Sequence, residues 1–189
     1  MYTVGVLGHS LLRPYLPGGS HYKQNNKKIV LNFHCASGAT FSSILGTSAY
    51  SELVESSPDL VLLVLGGNDL VYGSEVSEVY SRLEYLVHTI SESCSPQFGV
   101  FLVEIEQRIG DPRFVGPGDY NALRNSLIRK IRQKNFPRLL SITGYGVRKD
   151  LLSDDGVHFG EFGKSMFLAV LRSHISEILF DSEFDAGDL

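Results

Sequence analysis

Leu60-Val61-Leu62-Leu63-Val64-Leu65-Gly66-Gly67-Asn68-Asp69 is the stretch that decides the fold. Its first six residues are apolar without alternation, so both faces of the segment need cover, as in the central strand of a parallel sheet. Pro58 precedes it and Gly66-Gly67 ends it, both strong punctuation for a strand. Toward the N-terminus, 41–55 reads as a helix with Thr40 or Ser42 as its N-cap. Before it, 28–33 is a strand rich in Ile, Val and Leu, and 2–7 is a β-rich run closed by Gly8. Toward the C-terminus, 74–91 carries Val76, Val79, Tyr80, Leu83, Leu86 and Val87 on one helical stripe. A doubly apolar strand follows at 98–103, then a loop over 104–118, a helix over 119–134, a short strand at 139–143, a loop over 144–155 and a closing helix at 162–180. The segment 13–27 reads as a long loop and the acidic end, 181–189, as a frayed tail.

Strands alternating with helices of this length predict an α/β domain: a parallel sheet with a helical layer on each face. Right-handed crossovers distribute the helices over both faces. Ligands of such sheets bind outside the carboxyl ends of the strands. Gly8, Gly66 and Glu104 each follow a predicted strand directly, so the segments they begin are expected along one edge.

The 189 residues fit a single domain over 1–180 plus the tail. The net charge of −4 supplies no basic excess for neutralising phosphates, which argues against a general nucleic-acid binder. The one basic cluster, 124–134, has the spacing of a solvated helix face. Cys35 and Cys94, the two cysteines, lack the spacing of a zinc site or a disulfide framework and read as reduced, mostly buried thiols. The first seven residues lack the basic start and length of a signal peptide, and no apolar run approaches a membrane span. The expectation is a cytoplasmic protein.

Three short motifs carry chemistry. Gly8-His9-Ser10 places a hydroxyl just past the first strand; Asp155-Gly156-Val157-His158 places a carboxylate three residues before an imidazole. A serine hydroxyl becomes a nucleophile when a base within hydrogen-bond reach takes its proton. His158 is the candidate base, and Asp155, preferred by spacing over Asp154, is the group that orients it. Asn68, in Gly66-Gly67-Asn68-Asp69, offers an amide NH₂ to a developing oxyanion. Asp69 instead suits a backbone bond that shapes the turn. Gly38, after the second strand, can offer a bare N–H to the same oxyanion.

The ordered set Gly-x-Ser, lone Gly, Gly-x-Asn-Asp and Asp-x-x-His resembles the SGNH (GDSL-type) hydrolase superfamily, whose Ser, Gly, Asn and His match Ser10, Gly38, Asn68 and His158. The resemblance runs from Val4 to the final helix. It implies a three-layer α/β/α sandwich, flavodoxin-like, with about five parallel strands. It further implies cleavage of esters, thioesters or acetyl groups through an acyl-enzyme, with no metal or other cofactor. On the same basis the oxyanion hole comprises the N–H groups of Ser10 and Gly38 and the Asn68 amide. In tone, Leu7-Gly8-His9-Ser10-Leu11-Leu12-Arg13 and Asp155-Gly156-Val157-His158-Phe159 are most similar to the SGNH-like domains of animal retroelement-type open reading frames.

His9 departs from the pattern, because the family usually has Asp there to fix the nucleophile loop. Histidine is larger and titrates near neutral pH. Glu104 and Arg108 are candidates for substrate binding, either as a substrate-orienting pair or as a structural ion pair; Arg13 faces either an acyl pocket or solvent. The sequence therefore predicts a metal-free serine hydrolase cleaving a carboxylic ester. The alternative is a catalytically weak or inactive SGNH-fold binding module, such as a retroelement-associated accessory domain. The expected partner is a small-molecule, lipid or carbohydrate ester. Aromatic residues of the loops, Tyr15, Tyr22, Phe114 and Tyr120, suit either a substrate rim or internal packing.

Overall fold

The computed structural model describes residues 1–15, 19–71, 74–108, 117–142, 151–155 and 157–180, with only the backbone described at 117 and 118. The tail at 181–189, Phe114 and Gly156 lie outside the described residues, as do parts of the loops expected at 13–27, 104–118 and 144–155. The strands are β1 (Tyr2–Gly8), β2 (Ser20–Gln24), β3 (Lys27–Cys35), β4 (Leu60–Val64), β5 (Val100–Val103) and β6 (Arg138–Leu140). The helices are α1 (Ser48–Ser56), α2 (Gly67–Val71), α3 (Val76–Cys94), α4 (Pro117–Lys134) and α5 (Glu161–Phe180). Two 3₁₀ segments, Ser10–Tyr15 and Ser43–Gly46, also lie among the described residues.

The sheet has the order β2-β3-β1-β4-β5-β6, and every neighbouring pair is parallel except β2 with β3. β4 is central and fully buried along its length, as its unbroken apolar run requires. Its side chains alternate between two cores. Val61 and Leu63 join Leu7, Leu53, Leu83 and Leu102 under α1, α3 and α4. Leu60, Leu62 and Val64 join Val6, Leu31 and Phe101 under α5 and the first 3₁₀ segment. The result is the expected α/β/α sandwich.

Four expectations are corrected: the 13–27 loop, the unbroken 41–55 helix, its cap and the burial of the cysteines. The 13–27 loop contains a 3₁₀ segment and an antiparallel edge strand, which joins the expected five parallel strands as a sixth. The β2–β3 hairpin turns at Asn25-Asn26, both with positive φ (49° and 60°), the backbone of a type I′ turn. The helix expected at 41–55 is split: a 3₁₀ turn ends at Gly46, and Thr47 caps α1 by accepting the Tyr50 N–H at 3.3 Å. Thr47, rather than Thr40 or Ser42, is thus the helix cap. Both cysteines are free and half-buried rather than mostly buried.

Candidate active site

The strand ends bring the expected segments to one edge. His9 continues the β1–β4 pairing beyond the last strand residue, its N–H donating to Val64 O at 3.2 Å. Across β1, the Ala36 N–H donates to Gly8 O at 3.0 Å, which ties the end of β3 to the same place. Ser10 then opens the 3₁₀ segment, half-buried, with Leu11 and Leu12 anchored in the core beneath it.

Ser10 Oγ and His158 Nε2 lie 2.9 Å apart, and His158 Nδ1 lies 2.6 Å from Asp155 Oδ2. The segment carrying Asp155 and His158 is a tight turn closed on itself. Ser153 N–H donates to His158 O at 2.8 Å, and Leu152 and Phe159 form an antiparallel bridge. Asp155 Oδ1 accepts the backbone N–H groups of Val157 and His158 at 2.8 and 2.9 Å, and the Ser153 hydroxyl at 2.8 Å. Partial burial alone would raise the Asp155 pKa. The hydrogen bonds from the His158 ring, the two backbone amides and Ser153 outweigh it and hold the carboxyl well below the usual carboxylate range. Asp155 is therefore an anion at neutral pH, and its charge faces the imidazole nitrogen distant from Ser10.

Asn68 sits on the first turn of α2, at the end of β4. Its Nδ2 donates one hydrogen to Ala39 O at 2.9 Å, which binds α2 to the loop holding Gly38 and leaves the amide's other hydrogen for a second acceptor. Gly38 is exposed at φ +74°, a conformation that glycine reaches without strain. Asp69 shapes this corner: both carboxylate oxygens accept the Phe41 N–H, at 3.3 and 3.1 Å. Burial dominates its titration and pushes it up to about 6, against the opposing pull of the Phe41 N–H.

Glu104 and Arg108 do not pair. Glu104 faces α4 and β6: its carboxylate meets Arg124 at 3.3 Å and Arg132 at 3.6 Å, and accepts from Ser141 Oγ at 2.8 Å. Arg124 is itself buried, so the basic face expected over 124–134 turns partly inward. Arg108 instead lies beside Glu106, 3.7 Å away, and over the Tyr120 ring. Glu106, absent from the sequence-derived candidates, faces His9 at 3.8 Å. The signal for it was present as three charged residues, Glu104, Glu106 and Arg108, spaced by two directly after a buried strand. Arg13 is exposed and acts electrostatically on the Cys35 thiol, whose pKa burial nevertheless raises. Among the described residues, no group of three or more His, Cys, Asp or Glu side chains could hold a metal ion, and no helix is long and apolar enough to cross a membrane.

The fold is shared with solved structures of esterases, lipases and acylhydrolases. Among solved structures, the chain is similar to the psychrotrophic esterase EstA from Pseudoalteromonas sp., determined with monoethylphosphonate as inhibitor. The TM-score is 0.68 at 20% identity, over 94% of this chain and 98% of the esterase. It is also similar to the lipase/acylhydrolase from Enterococcus faecalis, with TM-score 0.67 at 18% identity over 93% and 95% of the two chains. A GDSL-like lipase from Bacteroides thetaiotaomicron gives TM-score 0.64 at 15% identity over 94% and 89%. No family model and no curated protein matches the sequence.

Proposed function

We propose that the protein hydrolyses carboxylic esters through a Ser-His-Asp triad and an acyl-enzyme. The observation that carries this reading is the unbroken relay from Ser10 Oγ through His158 to Asp155, with contacts of 2.9 and 2.6 Å. Ser10 Oγ attacks the ester carbonyl carbon while His158 Nε2 takes its proton. The carbonyl electrons move onto oxygen, where the N–H groups of Ser10 and Gly38 and the free hydrogen of the Asn68 amide receive them. The intermediate collapses, His158 returns the proton to the departing alkoxide, and the alcohol leaves. Water then repeats the sequence on the acyl-enzyme, with His158 as base and then acid, and releases the carboxylic acid. Asp155 stays ionised throughout and stabilises the imidazolium.

The esterase and acylhydrolase names of the structural neighbours support an ester as substrate. The test is labelling with a fluorophosphonate, followed by peptide mass spectrometry. The expected result is a single adduct on Ser10, lost in Ser10→Ala, together with turnover of p-nitrophenyl acetate by the wild type alone. A wild-type protein that neither labels at Ser10 nor cleaves activated esters would overturn the reading in favour of a binding module.

A further inference from the structure

We propose that Glu106 is a positioning residue for this chemistry, acting through His9 on the turn that presents Ser10 and against Gly67 on the helix that presents Asn68. The inference rests on the hydrolase reading above. His9, Glu106 and Arg108 are all more than nine-tenths buried, yet His9 Nε2, Glu106 Oε1 and Arg108 Nε have no hydrogen-bond partner among the described residues. An apolar side chain would fill such a space at lower cost, so a buried charged cluster there calls for a role other than packing.

The cluster touches both halves of the site. His9 immediately precedes Ser10, and its Nδ1 accepts a long hydrogen bond from the Leu11 N–H, at 3.5 Å. That bond requires an unprotonated Nδ1, so the network assigns the ring proton to Nε2, the nitrogen facing Glu106 Oε1 at 3.8 Å. The Glu106 carboxylate favours this tautomer electrostatically. On the other side, a Cβ at Gly67 would come within 2.7 Å of Glu106 Oε1 and 2.9 Å of Arg108 Nη2. Only a residue without a side chain allows the cluster to lie against the start of α2, one residue before Asn68.

α4 holds the cluster in place. The Tyr120 hydroxyl donates to Glu106 O at 3.1 Å, and the Arg108 guanidinium lies 4.8 Å from the Tyr120 ring centroid. Asn121 receives the Arg108 N–H at 3.3 Å and donates to Arg108 O at 3.0 Å. The ionisable groups facing His9 are Glu106 and Arg108 from beyond β5, His158 from before α5, and the Cys35 thiol, which donates to His9 O at 3.2 Å. Burial pushes the His9 imidazole down; Glu106 opposes this, while Arg108 and His158 add to it. His9 is thus neutral at pH 7, and the titration near neutral pH expected of a histidine here is corrected downward.

The experiment combines kinetics with ¹⁵N NMR of the imidazole nitrogens. In the wild type, His9 is expected as the Nε2–H tautomer. In Glu106→Gln, kcat for p-nitrophenyl acetate should fall about 10- to 100-fold with KM changed less than threefold, since a small misplacement of reacting groups costs rates of this order. In a His9→Gln background, the same substitution should cost less than twofold, because the intermediary is gone and the isosteric glutamine keeps the packing against Gly67. An Nδ1–H tautomer in the wild type overturns the proposal, as does an unchanged kcat in Glu106→Gln or an equal loss in both backgrounds. The NMR arm requires neither ester cleavage nor a folded variant. A wild type that cleaves no ester but shows the Nε2–H tautomer refutes the hydrolase reading while leaving the His9–Glu106 contact established.

Discussion

Asp155→Asn separates two functions that one carboxylate combines. Oδ1 builds the turn through Val157 N–H, His158 N–H and the Ser153 hydroxyl, whereas Oδ2 holds His158 Nδ1 at 2.6 Å. An asparagine oxygen can keep all the Oδ1 bonds. Its NH₂ group then faces His158, because flipping the amide would set NH₂ against two backbone N–H donors. Nδ1 must now accept, so the ring proton moves to Nε2, which donates to Ser10 Oγ and cannot take its proton. The loss of the working tautomer, together with the loss of the charge that stabilises the imidazolium, predicts a fall in kcat of about 10⁴, equivalent to ~5.5 kcal/mol of barrier. The Tm should stay close to that of the wild type, because the turn is intact and the exposed ion pair contributes little to stability. Asp155→Ala should lose comparable activity and also lower the Tm, since it removes the Oδ1 bonds as well. The assay is p-nitrophenyl acetate hydrolysis beside thermal unfolding of all three proteins. A kcat within tenfold of wild type in Asp155→Asn would refute the tautomer argument.

Two further outcomes follow from the corner at β4. Asn68→Ala should reduce kcat by about 10²–10³ with a smaller effect on KM, because the free amide hydrogen serves the transition state; a change confined to KM in steady-state kinetics would make Asn68 a ground-state contact. Asp69→Asn should flatten the dependence of stability on pH. The folded carboxyl is pushed up to about 6 against 3.8 in the unfolded chain, so it contributes ~3 kcal/mol that is fully present below pH 3.8 and lost as pH rises through 6. Unfolding free energies of both proteins from urea titrations between pH 4 and 8 should therefore diverge by roughly that amount, and parallel curves would contradict the assignment.

What the sequence made legible follows from where each signal is written. β4 was readable because Leu60 to Val64 are buried on both faces, and burial on both faces leaves an unbroken apolar run. β2 was not, because a sheet edge demands little of its side chains: Ser20, Tyr22 and Gln24 are half-buried, and His21 and Lys23 are exposed. Its one cue was Asn25-Asn26, two residues that tolerate the positive φ of the turn. The relay residues could be read because Asp155 and His158 are local to one turn, and Ser10 follows a strand end. Glu106 could not be assigned in the same way. Glu104 at the strand end and Arg108 in the loop after it suggest a pair, but nearness in sequence fixes side-chain neighbours only in regular structure, and the chain from 104 to 108 is not helical. Partners there are chosen by whatever packs across the strand end: α4 brings Arg124 to Glu104, and β1 brings His9 to Glu106. That choice is a property of the sheet order, with β4 flanked by β1 and β5, and no single segment contains it. The same order sets positions 9 and 106 side by side although they lie 97 positions apart in sequence. Two strand ends that both adjoin β4 bring His9, the residue before Ser10, against Glu106, which itself lies against Gly67, so the space open to each side chain depends on the other.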